Sequence, residues 1–363
     1  MKKTIIIIVS IIIIILLGMF IYSKVSKPEI VGRDNPSSSN KQLSSTEGIT
    51  TVLTLEDEIQ DNTIWCGTFQ LIWNDLKNDL AKQDIVFTPQ LKVVENLNKE
   101  TFTTKDISDD YYYKKVGNPS LKLKEEIEKA IKDKFNETSD ILDDFEWENR
   151  DPLDYFLYVM LKKEFQFEKA FEELENGKFG NYDNVKYFGI KKDESGELRK
   201  QVDVLYYNSK DDFAIKLKTK TDDEVIISKG NTQNTFKEIY EEIQKNNQNY
   251  KDNKALTQND TLQIPNIDFN VKKEYEELEN NTFKFSNGEE YKIDKALQTI
   301  QFRLDKKGGK IRSEAGMMVS KSSLLQDKPR EFLVNDTFCI FLKEKNKELP
   351  YFASKISDIT KVQ

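Results

Sequence analysis

The sequence predicts an α+β domain, and three observations predict it. Apolar residues recur at helical spacing through the first half of the chain, short strand-like runs crowd the second half, and no internal repeat is visible. The 22 Phe and 15 Tyr among 363 residues are more large apolar rings than a disordered chain carries, so a sizeable core is expected.

The elements follow in chain order. Thr4–Tyr22 is an almost uninterrupted apolar run, about one bilayer crossing long. It lacks the short apolar core and small-residue exit of a cleaved signal, so residues 1–24 read as a membrane anchor or uncleaved signal. Residues 25–52 are a Ser/Asn-rich linker, and residues 53–363 form the domain. The spacing of Ile64, Phe69, Ile72, Trp73, Leu76 and Leu80 predicts one amphipathic helix over Thr63–Leu80, with Trp65 and Trp73 as core packing. The apolar stretch Ile85–Phe87 follows. Thr88-Pro89 reads as a helix start, with Leu91, Val94 and Leu97 on its apolar face. Leu121–Phe135 reads as a charged surface helix, and Leu157–Phe171 is apolar and then mixed. Asp203–Lys218 predicts two strands around a turn at Asn208–Asp211. Phe236–Asn246 is a helix, and Thr261–Val271 and Thr299–Leu304 are strands. Two more strands, Thr337–Leu342 and Pro350–Ser354, flank the polar turn Lys343–Lys347.

Composition excludes several chemistries. There is no histidine, so Ser-His-Asp and Cys-His nucleophile systems are out, as are most zinc sites. The net charge of −8, with lysines and acids interspersed, suits a soluble surface and not a nucleic-acid binder. Cys66 and Cys339 match no metal spacing. They read as buried thiols, or alternatively as one long-loop disulfide. The acidic run Asp140–Glu148 lacks the spacing and glycine of a calcium loop and reads as solvated surface. Asp109–Tyr113 reads as packed tyrosines. Gly308-Gly309 has no strand-to-helix context and is no phosphate loop. No metal site and no cofactor are expected.

The order of several phrases resembles the serpins. Pro329–Phe338 (PREFLVNDTF) is similar to the family's Pro-x-x-Phe…Asp-x-Pro-Phe segment, and Cys339–Leu342 with Leu349–Ile356 to its last two strands. Leu262–Phe269 resembles its Leu-Pro-x-Phe strand. Asn74–Gln90 resembles its first helix running into Asn-Ile-x-Phe-Ser-Pro, and Glu168–Phe171 the stretch after its breach tryptophan. The resemblance implies a large central β-sheet, smaller sheets, helices mainly in the N-terminal half and an exposed reactive loop. Three departures fall on positions that serve opening of the central sheet. The Ser-Pro-x-Ser turn becomes Thr88-Pro89-Gln90-Leu91, Phe167 stands where Trp is usual, and Val159 replaces a buried Asn. The stretch from Leu97 to Tyr155 is also shorter than the family's.

The resemblance further implies a bait loop that a protease acylates and that then inserts as a strand. Insertion requires one uncharged face, because side chains alternate along a strand. With Gly308 as the hinge start, Gly309, Ile311, Ser313, Ala315, Met317 and Val319 form that face, and Lys310, Arg312 and Glu314 fall on the other. Family spacing places the cleaved bond among Lys321, Ser322, Ser323 and Leu324, and the polar Gln326–Arg330 is expected to stay solvated. The implied function is a protease inhibitor at the cell surface or exported. Its partner would be an extracellular serine or cysteine protease, and the membrane would be engaged through the N-terminal helix. The inhibitor would be a monomer and not an enzyme. The alternative is a non-inhibitory serpin-like binding or surface protein.

Overall fold

The computed structural model describes residues 48–191, 196–308 and 329–363. Its largest sheet has seven strands, in the order β1 (Thr50–Val52), β2 (Thr63–Cys66), β19 (Phe352–Ile356), β18 (Phe338–Glu344), β11 (Asp223–Lys229), β10 (Asp212–Lys218) and β9 (Val202–Ser209). Neighbours are antiparallel except β1 and β2. Every residue of β2 and β18 is buried, which explains the unbroken apolar runs Ile64–Cys66 and Phe338–Leu342. A four-stranded sheet runs β17 (Glu331–Leu333), β12 (Thr261–Pro265), β8 (Tyr187–Ile190), β5 (Glu172–Glu173). Four two-stranded ladders complete the strands: β3 (Tyr112–Gly117) with β4 (Phe156–Leu161), β13 (Ile267–Glu274) with β16 (Leu297–Leu304), β6 (Gly177–Phe179) with β7 (Tyr182–Val185), and β14 (Thr282–Lys284) with β15 (Glu290–Lys292).

The helices are α1 (Thr68–Asp75), which continues as a π-helical turn over Leu76–Ala81, then α2 (Lys92–Asn98), α3 (Leu121–Phe135), α4 (Gly196–Arg199) and α5 (Phe236–Asn249). The side chain of Ser120 caps α3 by accepting the Leu123 N–H, and Thr235 caps α5 by accepting that of Glu238. Helix α5 lays Phe236 and Tyr240 on Phe341 of the seven-stranded sheet. Helix α3 buries Leu123, Ile127 and Ile131 with Phe156 and Tyr158, and so covers one face of the β3–β4 ladder.

Several expectations are corrected. Thr63–Leu80 is not one helix. Thr63–Cys66 form a strand buried between β1 and β19, and the helix begins only at Thr68. Gly67 marks the switch, because a Cβ there would lie 2.3 Å from the Phe102 ring. Trp65 is therefore a strand residue and Trp73 a helix residue. Thr88-Pro89 precedes α2 by several residues and does not start it. Thr261–Val271 splits into β12 and β13, which belong to different sheets. The turn expected at Lys343 opens later, since β18 continues through Glu344. The domain starts earlier than residue 53, because Thr50–Val52 already pair with β2.

Cys66 and Cys339 are buried free thiols. They face Phe352 and Lys355 from opposite sides of β19, so a whole strand separates them and no disulfide can join them. In the acidic run, Asp143 pairs with Lys124 and Asp144 with Lys272, while Trp147 is buried. Tyr112 is likewise buried. The apolar run 4–22 lies outside the described residues. Among the described residues no helix is long and apolar enough to cross a membrane.

Candidate functional site

Strand β16 ends at Leu304, and the chain then reverses. The Gly308 N–H donates to Asp305 O at 3.1 Å, and the Lys307 N–H to Asp305 Oδ1 at 2.8 Å. Gly308 closes this turn at φ +73°, in the left-handed region. It forms an antiparallel bridge with Gln166, which follows β4. Two further bonds fix the stem: Phe167 N–H to Lys307 O at 3.4 Å and Phe171 N–H to Lys306 O at 2.7 Å. A Cβ on Gly308 would lie 2.6 Å from Gln166 Cα and 2.6 Å from Phe167 N. The backbones therefore meet closely where the expected hinge begins.

Phe167 lies at this junction and is 1% exposed. Its ring packs on Phe171 at 4.9 Å and on Phe188 at 6.1 Å. Its backbone bridges Thr219 on the other side, where the Lys220 N–H reaches Gln166 O at 2.7 Å. Phe167 and Gly308 are thus brought together. Thr88 and Pro89 are not with them. Thr88 borders a surface pocket with Phe283, Lys284 and Glu290, beside a separate apolar cluster. The strand-to-helix turn at the sheet is Cys66–Thr68 instead. There Gln298 of β16 donates to Cys66 O at 3.2 Å and Thr68 Oγ at 2.7 Å, and accepts from Tyr275 OH at 2.6 Å.

Two strand edges frame the site. Among the described residues β4 forms a ladder with β3 alone, and β16 with β13 alone. The turn at Asp305–Gly308 reverses the direction of β16, and the antiparallel bridge sets Gly308 against the direction of β4. Gly308 itself therefore runs opposite to both strands.

The second stem is built by Arg330. Its Nη2 donates to Asp260 Oδ2 and Ala255 O, both at 2.7 Å, and its Nη1 to Asn253 O at 2.6 Å. Its backbone N–H donates to Asp260 Oδ1 at 2.8 Å. The Asp260 side chain is 0% exposed and that of Arg330 12%, so Arg330 is anchored and not solvated as expected. Arg199 braces the same loop through Thr257 O and Asp260 O. The stems sit at opposite edges of the four-stranded sheet. Lys306 binds Glu173 of β5 at 2.6 Å, which holds that carboxyl below its ordinary value, while Arg330 leads into β17. Three strand spacings separate those edges by about 14 Å. The expected hinge residues Gly309, Ile311, Ser313, Ala315, Met317 and Val319 lie outside the described residues, as do Lys321, Ser322, Ser323 and Leu324.

A seven-stranded sheet, a four-stranded sheet and two open ladders, with residues 305–330 linking β16 to β17, can be set beside solved structures. A tumour-suppressing serpin aligns with a TM-score of 0.50 at 13% identity, over 82% of this chain and 93% of that one. The chain has a serpin-like fold. Serpin48 of the insect Tenebrio molitor aligns with a TM-score of 0.47 at 11% identity, over 83% of this chain and 92% of its own. No family model and no curated protein matches the sequence. The serpin-like architecture is therefore carried by backbone arrangement and hardly at all by residue identity.

Three groups in this site were not singled out by the sequence reading: Arg330 with Asp260, Gln298 with Thr68, and Gly67. Each carried a faint signal. Arg330 follows a proline, Gln298 takes a position in line with the alternating Ile300, Phe302 and Leu304, and Gly67 stands between the strand run Thr63–Cys66 and a helical one.

Proposed function

We propose that this serpin-like protein is a protease inhibitor whose loop 309–328 is cleaved and then inserts its N-terminal part between β4 and β16. The observation that carries the reading is the antiparallel bridge of Gly308 with Gln166, beside two strand edges that lack a ladder partner among the described residues.

Register supports it. Phe165 and Phe167 are buried and Gln166 between them is half-exposed, so Gln166 faces away from the core. Bridged residues share a face. An extended strand continuing from Gly308 would then turn Gly309, Ile311, Ser313, Ala315, Met317 and Val319 inward. That is the uncharged set. Burial of Ile311, Met317 and Val319 would contribute about 1.5–3 kcal/mol each, and each ladder bond to β4 or β16 about 1 kcal/mol.

Reach makes insertion depend on cleavage. Residues 309–319 as a strand would cover about 36 Å. Residues 320–328 span at most about 32 Å. While Arg330 stays on Asp260, an intact loop cannot insert fully and still return to Pro329. Cutting among Lys321, Ser322, Ser323 and Leu324 removes that limit. The protease supplies the nucleophile, so no catalytic residue of this chain is required. The target would be an extracellular serine or cysteine protease, and residues 4–22 would hold the inhibitor, as a monomer, at the outer face of a membrane.

The test is a panel of serine and cysteine proteases mixed with the protein. An SDS-resistant adduct with a fragment released from the loop is the expected result. Cleavage by every enzyme with no adduct would overturn the inhibitor reading.

A further inference from the structure

Beyond β4 the chain carries a charge into the core. The Lys163 side chain is 2% exposed and follows the inward alternation that continues through Phe165 and Phe167. Its Nζ lies 2.8 Å from Asp223 Oδ1 and 2.8 Å from Glu344 Oε1, whose side chains are 1% and 5% exposed. The ammonium also sits 3.8 Å from the centroid of the Tyr111 ring and 5.0 Å from that of Tyr351. The Tyr351 OH donates to Asp223 Oδ1 at 3.1 Å. Ser108 donates its N–H to Glu344 Oε1 at 3.0 Å and its Oγ–H to Oε2 at 2.5 Å.

The connections give the cluster a job. Asp223 and Glu344 are paired residues of β11 and β18, so both carboxylates belong to the seven-stranded sheet. Lys163 follows β4, while Ser108 and Tyr111 lead into β3. The end of the β3–β4 ladder nearest Gly308 is therefore tied to the large sheet by one charged group and its partners. Other charges lie nearby. Lys343 of β18 donates to the carbonyls of Glu344, Lys345 and Lys347 and lies 3.4 Å from Glu224 of β11. Asp110 and Asp222 act on Tyr111 from the two neighbouring segments.

We propose that Lys163, Asp223 and Glu344 form an acid-released latch that holds the β3–β4 ladder on the seven-stranded sheet. With the carboxylates charged, the buried ammonium is compensated. Once Glu344 is protonated the buried ammonium loses one of its two counter-charges, and the ladder end detaches so that Lys163 reaches water. Burial opposes the charge of Glu344, yet the bonds from Lys163 and Ser108 outweigh it and hold the carboxyl below its ordinary value. A depressed carboxylate contributes stability above its unfolded pKa, near 4.3, and loses it as pH falls through the lower folded value. The release window is therefore below about pH 4. The latch stands whether or not the loop inserts.

Thermal melts and hydrogen exchange of the β3 and β4 amides, taken from about pH 7 to about pH 3.5, test it on three proteins. The wild type should lose melting temperature on acidification and lose at least about tenfold more β3–β4 protection than a neutral K163M/D223N/E344Q variant. Lys163→Met alone should invert the sign, because Glu344 is then buried beside Asp223 without the ammonium and is relieved by protonation. Should Lys163→Met fail to fold at neutral pH, the neutral variant carries the comparison. Parallel acid profiles in the wild type and the neutral variant would overturn the latch.

Discussion

At the scale of single residues, Gly308 and Arg330 set the two ends of the loop by different means. Gly308 is needed for backbone shape and space together. Gly288 has a similar positive φ, +89°, but no atom lies within 4 Å of the place a Cβ would take there. Gly288→Ala should therefore cost only the conformational strain, about 1 kcal/mol. Gly308→Ala adds the collision with Gln166 and Phe167 and should cost about 2–4 kcal/mol. Urea unfolding of the two variants gives the comparison, and equal losses would show that the close approach at Gln166 does not hold in solution. Arg330 acts through charge. Removing it leaves the fully buried Asp260 without its cation, so Arg330→Ala should cost about 3–5 kcal/mol. Arg330→Lys should recover part of that loss, since a lysine keeps the charge but not the fork of donors. A loss under about 1 kcal/mol for Arg330→Ala would remove the clamp from the account.

At the scale of elements, legibility depended on whether the deciding contacts were local. Helix α3 was readable to the residue because Leu123, Ile127 and Ile131 recur every fourth position and Ser120 caps the start. Ser120→Ala should accordingly destabilise the protein by about 1 kcal/mol in urea unfolding. No change would mean that packing on Phe156 and Tyr158 alone holds the first turn. The hairpin β9–β10 was legible for the same reason. Thr63–Leu80 was misread because a strand buried on both faces shows no alternation, and its apolar residues happened to extend the helical spacing of Phe69, Ile72 and Trp73. The site followed the same rule. Gly308 and the uncharged alternation after it were visible in the sequence, since both are local. Lys163 occupied an inward position of the run Leu161, Lys163, Phe165, Phe167, but its partners Asp223 and Glu344 come from strands remote in sequence. Arg330 looked solvated because the loop that receives it, Asn253 to Asp260, lies far upstream. Thr88-Pro89 stands beside a separate apolar cluster, while the chain passes from strand to helix at Cys66–Thr68.

At the scale of the whole molecule, the uncleaved fold leaves β4 and β16 each short of one ladder partner among the described residues. A strand placed between them would join the β3–β4 and β13–β16 ladders into one sheet and bond on both of its edges. Several ladder bonds at about 1 kcal/mol each, with three large apolar side chains, give a gain on the order of 10 kcal/mol before ordering entropy is subtracted. Even a third of that gain would raise the melting temperature by several degrees in a domain of this size. Cutting the loop at Lys321–Leu324 should therefore raise the melting temperature. Ala315→Glu should abolish the rise, because its carboxylate would have to enter the core unpaired. Lys310→Glu, on the water-facing set, should leave the rise intact. The pair of variants separates insertion in the stated register from a general effect of loop cleavage. No rise in the wild-type protein would favour a non-inhibitory binding protein, and a rise that survives Ala315→Glu would show that the loop enters with the other face inward or does not enter at all.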